Sequence, residues 1–237
     1  MSAALGPLTI ARVTLLDRFS LLALPWVVLL SAFVVNIAIF GLLKAGGDSG
    51  SDNVTGGMAS IFVYLLVLGI LSAAQGLGLS QLLSSSRRTF YLGTMATGAG
   101  LALVDGLGLA ILAAVEPATG GWGVDMTFFR WPGATGDGFA STWLLYGAGL
   151  CLAFMIGTTY AVTFRRWGVA GSWFLSLAFA LVAVLVTALV VAVPGIGAAA
   201  LHAAAAITPA GVGGMILALA VLFAAVTWLV LRRAPAR

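Results

Sequence analysis

The sequence predicts an all-α protein embedded in a membrane, with six helices crossing the bilayer and both termini cytoplasmic. Three observations lead to this fold class. Six long apolar stretches lie between Arg18 and Arg232. Arginines gather at alternate ends of these stretches, as Arg87/Arg88, Arg165/Arg166 and Arg232/Arg233. Finally, 62% of the residues are hydrophobic and 8% charged, with a mean hydropathy of +1.15, whereas an ordinary soluble domain carries about a quarter charged residues.

The elements follow in order, as one transmembrane domain over residues 1–237. A helix needs about 20 apolar residues to cross the hydrocarbon core. The charge-free runs then give spans at 19–43, 58–79, 90–115, 140–164, 169–193 and 213–231, of which the third contains one acid, Asp105. The last two come from a stretch, Trp167 to Leu231, that has no charged residue and is too long for one helix. They are divided by a Gly/Pro/Ala-rich link near Pro194 to Gly214. The first apolar run is too long for the core of a signal peptide and lacks a clean cleavage site, so it counts as a span.

Orientation follows from the short connections. Arg12, Arg18, Arg87, Arg88, Arg165, Arg166, Arg232, Arg233 and Arg237 fall on one side, against Lys44 and Arg130 on the other. The first side is therefore expected to be cytoplasmic, which makes the chain a multi-pass membrane protein. Asp48, Asp52, Glu116, Asp125 and Asp137 then belong to exterior connections. The net charge of +4 is accounted for by topology and anionic headgroups and requires no nucleic acid. The sequon Asn53-Val54-Thr55 faces outward in this scheme.

The matter outside the bilayer is small. The segment 1–18 has Leu8, Val13, Leu15 and Leu16 among Arg12, Asp17 and Arg18, and reads either as a cytoplasmic interfacial helix or as a frayed basic tail. The linker 80–89 reads as a short surface helix, with Leu79, Leu82 and Leu83 toward lipid and Gln81, Ser84, Ser85, Ser86, Arg87 and Arg88 toward water or a protein partner. The connection 116–138 carries Trp122, Phe128, Phe129 and Trp131, which suit an interfacial aromatic belt or the cap of an exit vestibule. The turn at Arg165 to Gly168 is very tight.

With these features the chain resembles the permease subunits of the ABC-2 exporter class. The resemblance lies in the six spans, the amphipathic front segment and an Arg-Arg-x-Phe-x-x-Gly element formed by Arg87, Arg88, Phe90 and Gly93. It covers the whole length in topology. It implies that 80–89 supplies the element coupled to a cytoplasmic ABC ATPase, with Arg87 and Arg88 in or beside it. Arg12 and Arg18, with Asp17 between them, would belong to an interface helix. It further implies a dimer with a second permease copy or paralogue, and export of an amphiphilic or hydrophobic substrate. No Gly-rich phosphate loop ending in Lys-Ser/Thr occurs, so ATP and Mg would be bound by the partner ATPase and no cofactor by this chain.

Polar residues inside the spans are the remaining candidates. Asp105 lies near mid-depth of the third span with no intramembrane Lys or Arg to pair with, and Gly100, Gly106 and Gly108 around it permit close helix approach. Three roles fit: a hydrogen bond between helices, a place on the translocation path, or proton or ion coupling. Asn36, Gln75, Thr158 and Thr159 are suited to bonds across helix interfaces, each worth about 1 kcal/mol. An ATP-independent secondary transporter or channel using Asp105 is the alternative function, and a non-transporting anchor or sensor subunit the third.

Enzyme chemistry has little to build on. His202 is the one histidine, so a single chain holds no multi-histidine metal site. Ser172 and His202 fall near opposite ends of the predicted spans, more than about 30 Å apart, which excludes a Ser-His pair. Cys151, the one cysteine, rules out an intrachain disulfide and reads as a small buried hydrophobe.

Overall fold

A computed structural model describes residues 19–47, 54–82, 86–131, 138–192 and 208–232. Among these residues the chain is helical throughout, apart from short connections and one isolated bridge, Val54 to Thr127. The helices are α1 (Leu24–Ala45), entered through a wide π-type turn at Phe19–Ala23, α2 (Ala59–Leu82), α3 (Arg87–Val115), α4 (Phe139–Ala192) and α5 (Pro209–Arg232). Four of the described helices are long and apolar enough to cross a membrane. The predicted spans 58–79, 90–115 and 213–231 lie on α2, α3 and α5, apart from Met58, which precedes α2. The span 19–43 covers the wide turn and α1.

The spans 140–164 and 169–193 both fall on α4, save Val193, which lies outside the described residues. The helix does not run straight. Gly168 has φ 65° and ψ −154°, a backbone conformation open to glycine and closed to residues with a Cβ. The chain reverses there. Tyr160 and Ser176, 16 residues apart, join hydroxyl to hydroxyl at 3.0 Å, and the rings of Tyr160 and Phe179 stack at 6.3 Å. In an unbroken helix 16 residues would separate them by about 24 Å.

The first limb of α4 is the hub of the bundle, with α2, α3 and α5 packed around it. Glycines make the approach possible. A Cβ at Gly157 would collide with the Leu66 carbonyl of α2, and one at Gly106 of α3 would stand 2.8 Å from the Gly147 Cα of α4. Small residues at such contacts let backbones meet where lipid offers no hydrophobic drive for association. The α3 face shows the corresponding pattern: Phe90, Gly93, Thr97, Leu101, Asp105 and Leu109 are buried at steps of three and four residues.

Two ends result. Phe90, Ala161, Val162 and Leu231 form one buried cluster, which brings the start of α3, the reversal of α4 and the end of α5 to the same end of the molecule. Arg87/Arg88, Arg165/Arg166 and Arg232 therefore converge on a single basic end. At the opposite end the connection between α3 and α4 folds back into the bundle.

Candidate functional site

The opposite end is closed by a plug built from residues 116–131. After α3 a single 3₁₀ turn, Glu116–Thr119, leads into a run of left-handed backbone at Gly120, Gly121, Trp122 and Gly123, all with φ between 61° and 76°. Glycine accepts this conformation without strain, and Trp122 is carried in it by its neighbours. A side chain at Gly121 would also collide with the Met126 backbone at 2.7 Å. The chain is thereby turned inward, so that Met126, Phe128 and Phe129 are each 1% exposed. Phe33 of α1 meets the rings of Trp122, Phe128 and Phe129 at 5.1, 5.1 and 5.2 Å. The expectation of an interfacial belt is thus corrected for Phe128 and Phe129, which are core residues. Trp131, 61% exposed, remains at the surface.

Glu116 anchors the plug. The sequence assigns it to an exterior connection, and within that connection it is buried, 2% exposed. Its Oε2 accepts hydrogen bonds from the backbone N–H of Phe128 (2.9 Å) and Phe129 (2.8 Å) and from Trp122 Nε1 (3.1 Å). One carboxylate oxygen thus gathers three donors from a segment that lacks a sheet or helix partner of its own. From the other side, Tyr146 of α4 donates to the Phe129 carbonyl at 2.5 Å and accepts from Trp131 N at 3.3 Å. Thr55 N donates to the Thr127 carbonyl at 3.1 Å, and Lys44 Nζ pairs with Asp125 at 2.7 Å. Helices α1, α3 and α4 and the segment before α2 all hold the plug.

A hollow of about 440 Å³ opens beside it, lined by Val54, Thr55, Gly56, Met58, Ala59, Phe62, Phe128, Arg130 and Trp131. Arg130 also lines a smaller hollow of about 190 Å³, between the end of α3 and the start of α4.

Asp105 sits in the middle of the bundle with no exposure. Trp26 of α1 donates its indole N–H to Oδ1 at 2.9 Å, and the same ring lies on Gly108, where a Cβ would collide with it. Oδ2 has no hydrogen-bond partner among the described residues. The partner is an aromatic N–H 79 residues away, a neutral donor in the place where a compensating cation would be sought. Of the three roles considered, this geometry displays the hydrogen bond between helices.

The other candidates separate. Asn36 Nδ2 donates to the Ala32 carbonyl of its own helix at 2.8 Å, and Thr158 Oγ1 to Met155 O at 2.9 Å, so neither makes an interhelical bond. Polar side chains in lipid first satisfy themselves on the preceding turn. Thr159 does reach across, to Thr227 of α5 at 2.8 Å. Gln75 is exposed on α2.

At the basic end Ser86 caps α3, accepting from Thr89 N at 3.1 Å. Arg87 Nη1 donates to the Leu231 carbonyl in the last turn of α5 at 3.4 Å, where a cation meets the negative end of the helix dipole. Tyr91 donates to the Ala224 carbonyl at 2.9 Å and its ring packs on Trp228 at 5.1 Å. Arg88 is exposed. The separate surface helix expected over 80–89 is corrected: 80–82 continue α2 and 87–89 open α3. Arg12, Asp17, Arg18, Ser84, Ser85, Asn53, His202 and the link 193–207 lie outside the described residues, as do the side chains of 76–82. Among the described residues no group of His, Cys, Asp and Glu is arranged to hold a metal ion.

No protein-family model, curated protein or solved structure matches the chain.

Proposed function

We propose that this chain is the permease subunit of an ATP-driven exporter of the ABC-2 class, a multi-pass protein of the cell inner membrane. It crosses the membrane six times, by α1, α2, α3, the two limbs of α4, and α5. It has its basic end in the cytoplasm and works with a second permease and two ATPases. The apolar helices support a membrane setting, and the reversal at Gly168 supports counting α4 twice.

The observation that carries the coupling reading is the joint at the basic end. Arg87, the first residue of α3 after the α2–α3 linker, holds the last turn of α5, while Phe90 and Tyr91 pack on that helix's end. A push on the linker is therefore delivered to α3 and α5 together. In this scheme the partner binds and hydrolyses ATP, the displaced linker rocks α3 and α5 about the glycine contacts, and the plug at the far end yields to release an amphiphilic or hydrophobic substrate outward.

The test is affinity purification of the full chain from its native membrane, with ATPase assay of what accompanies it. A stoichiometric ATP-hydrolysing partner is expected. Replacing Arg87 and Arg88 by Ala is expected to leave membrane insertion intact and to reduce transport-coupled ATPase activity. Coupled activity equal to wild type would sink the role of the joint.

One observation favours a second reading, a secondary transporter or channel that needs no ATP: the fully buried Asp105 keeps an oxygen without a partner among the described residues. A buried carboxylate of this kind is where an ion or proton would be held. Transport in ATP-free proteoliposomes that disappears with Asp105→Asn would select it.

A further inference from the structure

The 440 Å³ hollow beside the plug is the right size for part of a small amphiphile. Its composition is uneven. Met58, Ala59, Phe62, Phe128 and Trp131 make an apolar lining, and Arg130 is the one charged side chain among the described residues that line it. Arg130 is partly buried and lines the smaller hollow as well, so it stands between the two.

The placement narrows the ligand further. Met58 immediately precedes α2 and Ala59 begins it, and Phe62 one turn deeper rests against Gly149 of α4. The hollow therefore begins at a helix end, where the interface with headgroups falls, and continues toward the apolar zone. Trp131, largely exposed, has the amphipathic ring that favours this level. A phosphodiester matches the fork of an arginine, and acyl chains match the lining. An anionic phospholipid supplies both groups in this order, head at the end and chain inward. A free anion would leave the apolar lining unused, and a zwitterionic lipid would place a second cation beside Arg130.

We propose that this hollow is a binding site for one anionic phospholipid of the leaflet at the plugged end, with Arg130 on its phosphate and Met58, Phe62 and Trp131 along its acyl chain. Phe128 forms part of the wall and its backbone N–H is held by Glu116, so the bound lipid braces the plug directly. The site is independent of the transport reading and requires only that the helices lie in a bilayer.

The full chain, reconstituted in phosphatidylcholine nanodiscs, is titrated with brominated-chain phosphatidylglycerol, and quenching of Trp131 is read as the difference from a Trp131→Phe variant. Saturable quenching is expected, with a preference of about ten-fold over brominated phosphatidylcholine. Arg130→Gln should abolish the preference. Ala59→Phe, at an exposed position that narrows the hollow, should abolish the saturable phase while Arg130 remains, and serves if the arginine variant does not fold. Equal quenching by the two lipids, or a preference that survives both variants, would overturn the assignment. Competition by glycerol phosphate as strong as by the whole lipid would overturn it too, by showing a site for a free anion.

Discussion

Two carboxylates are buried among the described residues, and they are held in opposite ways. Asp105, in the middle of α3, receives one donor, the indole of Trp26, and the second oxygen of each acid is without a partner among the described residues. Glu116, at the end of the same helix, receives three donors on a single oxygen, two of them backbone N–H groups of the plug. The difference follows from what surrounds each. Within a helix the backbone has already spent its donors on itself, so Asp105 can recruit only a side chain from a neighbour. Beyond the helix end the chain is irregular, and its free N–H groups need an acceptor as much as the carboxylate needs donors. Glu116 thus organises a segment, whereas Asp105 joins two elements that are helical without it.

Removing each group should expose the contrast. The largest effect is expected for Glu116→Ala, which strands two buried N–H groups and an indole and should cost about 3 kcal/mol. In a Cys151→Ala background, a cysteine at Met126 should then react with a water-soluble maleimide at least about ten-fold faster than with Glu116 in place. Labelling at the original rate would mean that the plug is held by its other contacts without Glu116. Trp26→Phe comes next. It deprives Asp105 of its donor and withdraws the outer ring of the indole from Gly108, and should cost about 2 kcal/mol in thermal unfolding of the detergent-solubilised protein, with no change in Met126 labelling. A labelling change in that variant would show that the mid-bundle carboxylate and the plug are coupled.

Asp105→Asn should move stability by less than about 1 kcal/mol, since the amide oxygen still accepts from Trp26 and the charge is gone. A large loss would show that the second oxygen has a partner of consequence. The smallest effect is expected for Lys44→Ala. Its pair with Asp125 has side chains 51% and 69% exposed, so the change should stay within about 0.5 kcal/mol and vanish at high salt. Urea or thermal melts at low and high ionic strength check this.

Much of the helical framework is legible in the sequence because it rests on local composition. Runs of apolar residues longer than a bilayer is thick form helices, as the described parts of each predicted span do apart from Met58. The reversal at Gly168 is legible too, from the Arg165/Arg166 pair and the glycine that follows it. The plug is not. Its signal is Gly120-Gly121-Trp122-Gly123, three glycines around a bulky residue, four positions after an isolated glutamate and just ahead of paired phenylalanines. By hydropathy alone, that connection is a surface loop. Asn36 and Thr158 err in the reverse direction, since the interhelical bond expected of an intramembrane polar side chain is replaced by one within its own helix.

The sequence by itself determines the set of helices and the gathering of positive charge at alternate ends, because apolar length and arginine position act residue by residue in the chain. Tertiary structure decides where the acids go. Whether Glu116 faces water or backbone donors depends on a left-handed turn that aims residues 126–129 inward, and whether Asp105 has a partner depends on an indole brought from 79 residues away. These are properties of contacts between separated segments, set by how the chain folds back on itself rather than by the composition around either acid.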